Sequence, residues 1–151
     1  MMYEKFGQFI DGKWCQSSDK STYEVINPAN EETLGHASKA KPEDVDRALK
    51  SAEKGLQVWK KTPPWKRSYI IRRIADKIRE KQDVLAKWMT LEVGKPFVEA
   101  KGEVNGAADI FEWNAEETKR IYGQTVESRF EDTRVHVYYQ PVGVVAALSP
   151  W

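Results

Sequence analysis

Cys15 has the most reactive side chain type in the sequence, and it is the only cysteine among 151 residues. A thiol becomes a nucleophile when a nearby base or a helix N-terminus stabilises its thiolate form. Cys15 follows Trp14 in a predicted hairpin strand, whereas His36 and His136 lie in two other strand-like segments. We therefore interpret Cys15 as an inert, partly buried thiol rather than a catalytic nucleophile.

Metal and phosphate sites leave characteristic spacings in a sequence, and this chain carries none of them. Its one cysteine and two histidines are far apart, whereas zinc ligands occur in closely spaced pairs. Neither a P-loop nor a GxGxxG motif is present. We expect no metal site, and no phosphate cradle built from one local motif.

Two consecutive predicted helices carry opposite charge. Between residues 66 and 92, eight lysines and arginines face four acids, and aromatic residues are interleaved among them. Between residues 99 and 120, six acids face three basic residues. The basic segment alone suggests a nucleic-acid surface, but the acidic segment after it favours complementary or solvated faces. We expect no nucleic-acid binding.

The elements that hold these residues follow from local patterns. Asp11-Gly12 between short apolar pairs predicts a hairpin, and a second hairpin is expected over 23–37. Apolar residues at helical spacing predict three helices, over 42–59, 62–93 and about 97–122. The first helix begins with Pro42, but Lys41 before it is a poor N-cap.

Two features characterise the last third of the chain: glycines within a predicted helix, and an alternation of apolar and polar residues. Gly102 and Gly106 lie within the third predicted helix, where we favour close packing over space left for a ligand as the reason for them. After Gly123 the pattern alternates, which predicts a long hairpin. The apolar run 142–148 predicts a strand buried on both faces of a parallel sheet.

Ligands of open parallel sheets bind beyond the carboxyl ends of the strands. Leu148, Ser149, Pro150 and Trp151 occupy that position after the predicted strand. From these residues alone, a ligand-site wall and an ordinary strand end are equally supported.

Several longer motifs carry a family resemblance. They are INPANEE after an IDGKW hairpin, EVGKPFVEAKGEV, EWNAEETKRIYG and PVGVVAALSPW, in this order. Together they resemble the NAD(P)-dependent aldehyde dehydrogenases, and EAKGEV with EW.AEE.KRIYG resembles the succinate-semialdehyde dehydrogenase branch. The resemblance implies an α/β fold, the N-terminal portion of a Rossmann-type cofactor domain. Residues 1–123 would start that domain, 124–140 would form an oligomerisation hairpin, and 141–151 would be the first strand of the dinucleotide-binding sheet, truncated.

The resemblance also implies a reaction. The parent enzyme would oxidise an aldehyde, such as succinic semialdehyde, to a carboxylic acid with NAD or NADP. A cysteine thiolate attacks the aldehyde, and the catalytic Cys, Glu and Asn would all lie beyond residue 151. No catalytic residue is therefore expected within this chain, and residues 1–151 alone should be inactive.

Two sets of residues acquire roles by this resemblance. Leu148, Ser149, Pro150 and Trp151 would line the cofactor site, and Gly106, Ile110 and Trp113 would lie beside the substrate tunnel. The semialdehyde branch usually carries aromatic residues at Gly106, Ile110 and Asn114. These three departures weaken the assignment of succinic semialdehyde itself as the substrate.

Partners and location follow from the hairpin and the composition. By resemblance, the 124–140 hairpin would pair subunits into a homodimer or homotetramer. The net charge of +1 gives no general attraction to nucleic acid or membranes. No secretory signal or membrane span is found, and one cysteine suits a reducing compartment, so we expect a cytoplasmic protein. The alternative is a non-catalytic helical module that presents the hairpin and the basic helix to a partner.

Overall fold

The computed structural model describes residues 7–149, in which three hairpins flank a group of helices. Each hairpin is a separate two-stranded antiparallel sheet. In chain order the elements are β1 (Gln8–Ile10), β2 (Lys13–Cys15), β3 (Thr22–Ile26), β4 (Thr33–Ser38), α1 (Pro42–Trp59), α2 (Pro64–Glu80), α3 (Gln82–Val93), α4 (Phe97–Glu117), a 3-10 helix (Thr118–Arg120), β5 (Gln124–Glu127) and β6 (Arg134–Val137).

Both hairpins predicted for the N-terminal part of the chain are confirmed. Asp11 and Gly12 have φ values of 54° and 75°, the left-handed conformation that a two-residue hairpin turn requires. Phe9 pairs with Trp14 across this turn, and their ring centroids lie 5.0 Å apart. The second hairpin pairs Tyr23 with Ala37 and bulges between Val25 and Ile26.

Asp44 secures the start of α1 and compensates for the poor N-cap at Lys41. Its carboxylate accepts hydrogen bonds from the backbone N–H of Lys41 at 2.9 Å and of Ser18 at 3.1 Å. Gln8 and Arg47 also donate to it. Asp44, with an exposed fraction of 1%, thus joins the first hairpin and the loop after it to α1.

The predicted helix over 62–93 is wrong as a single element, because the structure divides it at Lys81. Lys81 has φ −104° and ψ 13°, outside the helical region, and its N–H is shared between the carbonyls of Lys77 and Ile78. Neither proline nor glycine marks this break. Both α2 and α3 pack against α4, so we attribute the break to tertiary packing.

Small residues form the core between these three helices. The buried apolar residues of the described chain are Ala75, Ala86, Ala100, Val104, Ala108 and Ala115. Alanine at the contact positions lets helices approach closely. Phe111 of α4 is 38% exposed. The third predicted helix also ends earlier than Tyr122, at Glu117, where the 3-10 helix begins.

The predicted strand over 142–148 is not observed as a strand. Residues 138–149 form no regular element, and Val142 and Leu148 are 93% and 95% exposed. A strand exists through hydrogen bonds to a neighbouring strand, and nothing in residues 7–149 pairs with this segment. None of the helices within this range has the length and apolar character needed to cross a membrane.

Candidate functional site

The candidate substrate face is one side of α4. Gly106, Ile110 and Trp113 are spaced by four and three residues, which places them on a single face of a helix. The buried positions of α4, including Val104 and Ala108, lie on the opposite face by the same spacing. Ile110 is 64% exposed and Trp113 is 69% exposed. The helix thus presents an uncovered apolar surface at the positions expected to line a tunnel.

The glycines of α4 leave open space beside this face. A Cβ atom added to Gly102 or Gly106 meets no heavy atom within 4 Å, apart from its own surroundings in the helix. The interpretation that these glycines permit close helix packing is therefore wrong for the described residues. The alternative reason, space for a ligand, is compatible with the geometry.

The candidate cofactor residues lie on a different segment. Leu148 and Ser149 end the exposed stretch that follows β6. Pro150 and Trp151 lie outside the described residues. Gly106, Ile110 and Trp113 therefore lie together on α4. Leu148 and Ser149 lie on a different segment of the chain.

Ion pairs connect α4, which carries the candidate face, to α2 and α3. Arg79 Nη2 lies 2.7 Å from both Asp109 Oδ1 and Glu112 Oε2, and Asp109 followed by Glu112 raises the pKa of this guanidinium. Lys101 of α4 pairs with Asp83 of α3 at 2.7 Å. Of the two alternatives left open by the sequence, complementary or solvated faces, these ion pairs support the complementary one.

The family model of the aldehyde dehydrogenase family matches residues 14–151 of the sequence. This match extends over nearly the whole chain. The chain belongs to the aldehyde dehydrogenase family.

Individual relatives of this aldehyde dehydrogenase chain agree with the family match. Glutarate-semialdehyde dehydrogenase of Pseudomonas aeruginosa is 42% identical over 143 residues, which cover 95% of the chain and 30% of the relative. Succinate-semialdehyde dehydrogenase (NADP(+)) of Escherichia coli is 42% identical over 94% of the chain and 30% of the relative. The chain thus spans about a third of the length of the curated relatives it matches.

Solved structures support the fold directly. The crystal structure of succinate-semialdehyde dehydrogenase from Burkholderia pseudomallei has a TM-score of 0.87 to this chain, with 36% identity. That match covers 91% of the chain and 29% of the solved chain. The described residues therefore have the fold of an N-terminal portion of an aldehyde dehydrogenase.

Cys15 lies at the end of β2 in the first hairpin. Its Sγ donates a hydrogen bond to the backbone carbonyl of Gln8 at 3.4 Å within the first hairpin. His136 lies on β6 beside Thr125, and His36 pairs with Glu24 between β3 and β4. Within residues 7–149, no group of three or more His, Cys, Asp and Glu side chains is arranged to hold a metal ion.

One group of charged residues was missed by the sequence analysis of this chain. Arg47, Lys50 and Lys54 of α1 line a cavity together with Lys13 of β2. The signal was available, because spacings of three and four residues place the three α1 side chains on one face. Only the structure brings that face against the first hairpin.

Proposed function

We propose that this chain is the N-terminal segment of an NAD(P)-dependent aldehyde dehydrogenase that oxidises a carboxylate-bearing semialdehyde to a dicarboxylic acid. The observation that carries the proposal is the similarity, over nearly the whole chain, to relatives named glutarate- and succinate-semialdehyde dehydrogenases. The reaction consumes the aldehyde, one water and NAD(P)+, and it yields the acid, NAD(P)H and one proton. Glutaric semialdehyde is as well supported as succinic semialdehyde.

For the substrate, we assign Gly106, Ile110 and Trp113 as one wall of the tunnel. Their shared face on α4 is apolar, exposed and suited to contact with the methylene groups of an aliphatic aldehyde. The absence of a side chain at Gly106 widens this wall locally. The α4 face contacts the aliphatic part of the substrate. The substrate's carboxylate requires a cation from another region of the enzyme.

For the cofactor, we assign Leu148, Ser149, Pro150 and Trp151 as one section of the binding wall. These residues fit one part of a cofactor-binding site, because Leu148 presents exposed apolar surface and Ser149 carries a hydroxyl group. NAD(P) supplies the hydride acceptor of the reaction when bound. The four residues of this chain bind and orient one side of that molecule, and the phosphate-binding groups belong to other segments.

The hairpin of β5 and β6 supports assembly of this enzyme. It is a separate two-stranded sheet, so both of its strands have a free edge among the described residues. Such edges pair readily with another strand. We assign residues 124–140 as the arm that pairs subunits into a homodimer or homotetramer. In the chain this arm follows residues 1–123 of the cofactor domain and precedes the strand segment 141–151. A cytoplasmic location agrees with the single cysteine of the sequence.

The test is turnover by the complete protein that carries this chain. NAD(P)H formation is measured with succinic and glutaric semialdehydes, and with butanal and pentanal as uncharged controls of equal length. We expect kcat/KM to be at least about tenfold higher for a semialdehyde than for its uncharged control, which corresponds to about 1.4 kcal/mol of transition-state binding. Equal values would contradict the semialdehyde assignment.

Two further measurements complete the test. Residues 1–151 alone should form no NAD(P)H, because by resemblance the catalytic residues lie beyond residue 151, and Cys15 Sγ donates a hydrogen bond to the carbonyl of Gln8 within the first hairpin. Turnover by that segment would overturn our assignment of the catalytic groups to other segments. A complete protein that oxidises none of the four aldehydes would instead support the helical interaction module.

A further inference from the structure

A cleft between the first hairpin and α1 has a chemistry that the aldehyde oxidation does not use. It encloses about 400 Å³ and is lined on the α1 side by Arg47, Lys50 and Lys54. Lys13 lines it from β2, and Asp11 from the turn. Small-molecule sites usually enclose several hundred cubic ångströms, so the volume is sufficient for a ligand larger than a single simple ion.

Three of the four cations that line this cleft form no ion pair within the described chain. Lys13, Lys50 and Lys54 form no ion pair with any residue in 7–149. Arg47 differs, because its Nη2 lies 2.6 Å from the buried carboxylate of Asp44. The cleft therefore holds an excess of positive charge that residues 7–149 do not neutralise.

The remaining lining groups limit the kind of anion that fits. Asp11 is the only carboxylate that the described residues contribute to the lining, and it accepts a hydrogen bond from Ser51 Oγ at 3.5 Å, which ties the turn to α1. Ile10 supplies an apolar wall at the hairpin side. A cleft lined mainly by one sign of charge concentrates counter-ions, and the ammonium group of lysine is a common phosphate ligand.

We propose that this cleft binds a small anion with two or more linked phosphate groups. Several separated lysines around one cavity suit charge distributed over a chain of phosphates better than a single carboxylate. The residues that line this cleft belong to the first hairpin and to α1, whereas the proposed cofactor wall is assigned to residues 148–151. Inorganic tripolyphosphate and the triphosphate of a nucleotide share this chemistry.

Calorimetric titration of the complete protein with sodium tripolyphosphate, in the presence of saturating NADP+, tests the proposal. Lys50→Glu/Lys54→Glu reverses two charges in the cleft, and Lys13→Glu reverses one from the other wall. Lys61→Glu is the matched control, because Lys61 is an exposed lysine that does not line the cavity. Circular dichroism establishes that each variant is folded. A parallel titration with ATP distinguishes the two phosphate sources.

We expect the double variant to weaken tripolyphosphate binding at least about tenfold, Lys13→Glu to weaken it measurably, and Lys61→Glu to leave it unchanged. Bound tripolyphosphate should also slow amide hydrogen exchange in 10–15 and 47–54. Tighter binding of ATP than of tripolyphosphate would indicate that the nucleoside contacts the Ile10 wall. Absence of saturable binding up to about 10 mM, or equal losses in all three variants, would overturn the proposal.

Discussion

Arg72 of α2 and Glu112 of α4 form an ion pair across the helix interface, with Nη1 at 2.7 Å from Oε1. Arg72 also contacts Glu116, one turn further along α4. The contact connects the two helices whose opposite charges are evident in the sequence. It also lies beside the apolar face of α4, so it helps to set the rotation of the helix that carries Gly106, Ile110 and Trp113.

The first prediction concerns the coupling between these two side chains. Because both are 40% exposed, water and salt weaken their attraction, and exposed pairs contribute roughly 0.2–1 kcal/mol. A double-mutant cycle of Arg72→Met and Glu112→Gln, measured by urea unfolding, should give a coupling energy in that range. The coupling should fall in 1 M NaCl. A cycle of Arg72→Met with Glu99→Gln serves as the control and should show no coupling.

The second prediction concerns the small-residue core. Ala108 is fully buried on α4, so the larger side chain of Ala108→Leu must displace neighbouring helices. Overpacking of this kind costs about 1–3 kcal/mol of unfolding free energy. The neighbouring Ala107 is exposed at the edge of an open groove, and Ala107→Leu should change stability by less than about 0.5 kcal/mol. Equal losses from the two substitutions would contradict the assignment of the buried face.

Much of this fold was predictable because its signals are local. The Asp11-Gly12 turn and the start of α1 at Pro42 depend on residues adjacent in sequence, and both were predicted correctly. The division at Lys81 depends on how α2 and α3 meet α4, which no local residue signals. The stabilisation of α1 by Asp44 similarly depends on Ser18, 26 residues away.

The candidate site was only partly predictable, for related reasons. The family resemblance named Gly106, Ile110 and Trp113, and their spacing within a helix places them on one face. The apolar run 142–148 predicts a buried strand, but the segment is exposed, because burial requires a neighbouring strand that residues 7–149 do not provide. The positive cleft was missed because Lys13 and Lys50 lie on different elements, and only the packing of the first hairpin on α1 joins them.

The third prediction concerns the acid stability of the protein. The backbone N–H of Lys41, followed by that of Ser18, lowers the pKa of Asp44 from 3.8 to about 2 in the folded chain. A lowered folded-state pKa stabilises the fold at pH values above about 4, and this contribution is lost as the pH falls from about 4 towards 2. Asp44→Asn should therefore lower the urea midpoint at pH 7 and flatten its fall over that interval.

Asp46→Asn is the matched control for this measurement. Asp46 is an exposed carboxylate on the same turn of α1. The Asp46→Asn variant should lose stability between pH 4 and 2 to the same extent as the wild type. An Asp44→Asn variant with the same acid dependence as the wild type would show that the hydrogen bonds of Asp44 do not control this transition.

The fourth prediction concerns the glycines of α4. A new Cβ at Gly102 or Gly106 meets open space, so Gly102→Ala and Gly106→Ala should each raise the unfolding free energy by about 0.5–1 kcal/mol. Gly106→Phe in the complete enzyme should raise KM for the semialdehyde several-fold, because the ring enters the proposed tunnel. Gly102→Ala serves as the kinetic control. An unchanged KM in Gly106→Phe would exclude this face as a tunnel wall.

The fifth prediction concerns self-association of the 1–151 chain. Val145 is 72% exposed in a segment with unpaired backbone groups, a combination that favours pairing with a second copy. Sedimentation velocity over a concentration series should therefore show oligomers, and Val145→Lys should shift them towards the monomer by adding charge to the pairing segment. Val58→Lys is the control, because Val58 is 70% exposed on α1 and its backbone is already bonded within the helix. A monomeric wild-type chain with protected amides over 142–148 would show that the segment satisfies its hydrogen bonds internally.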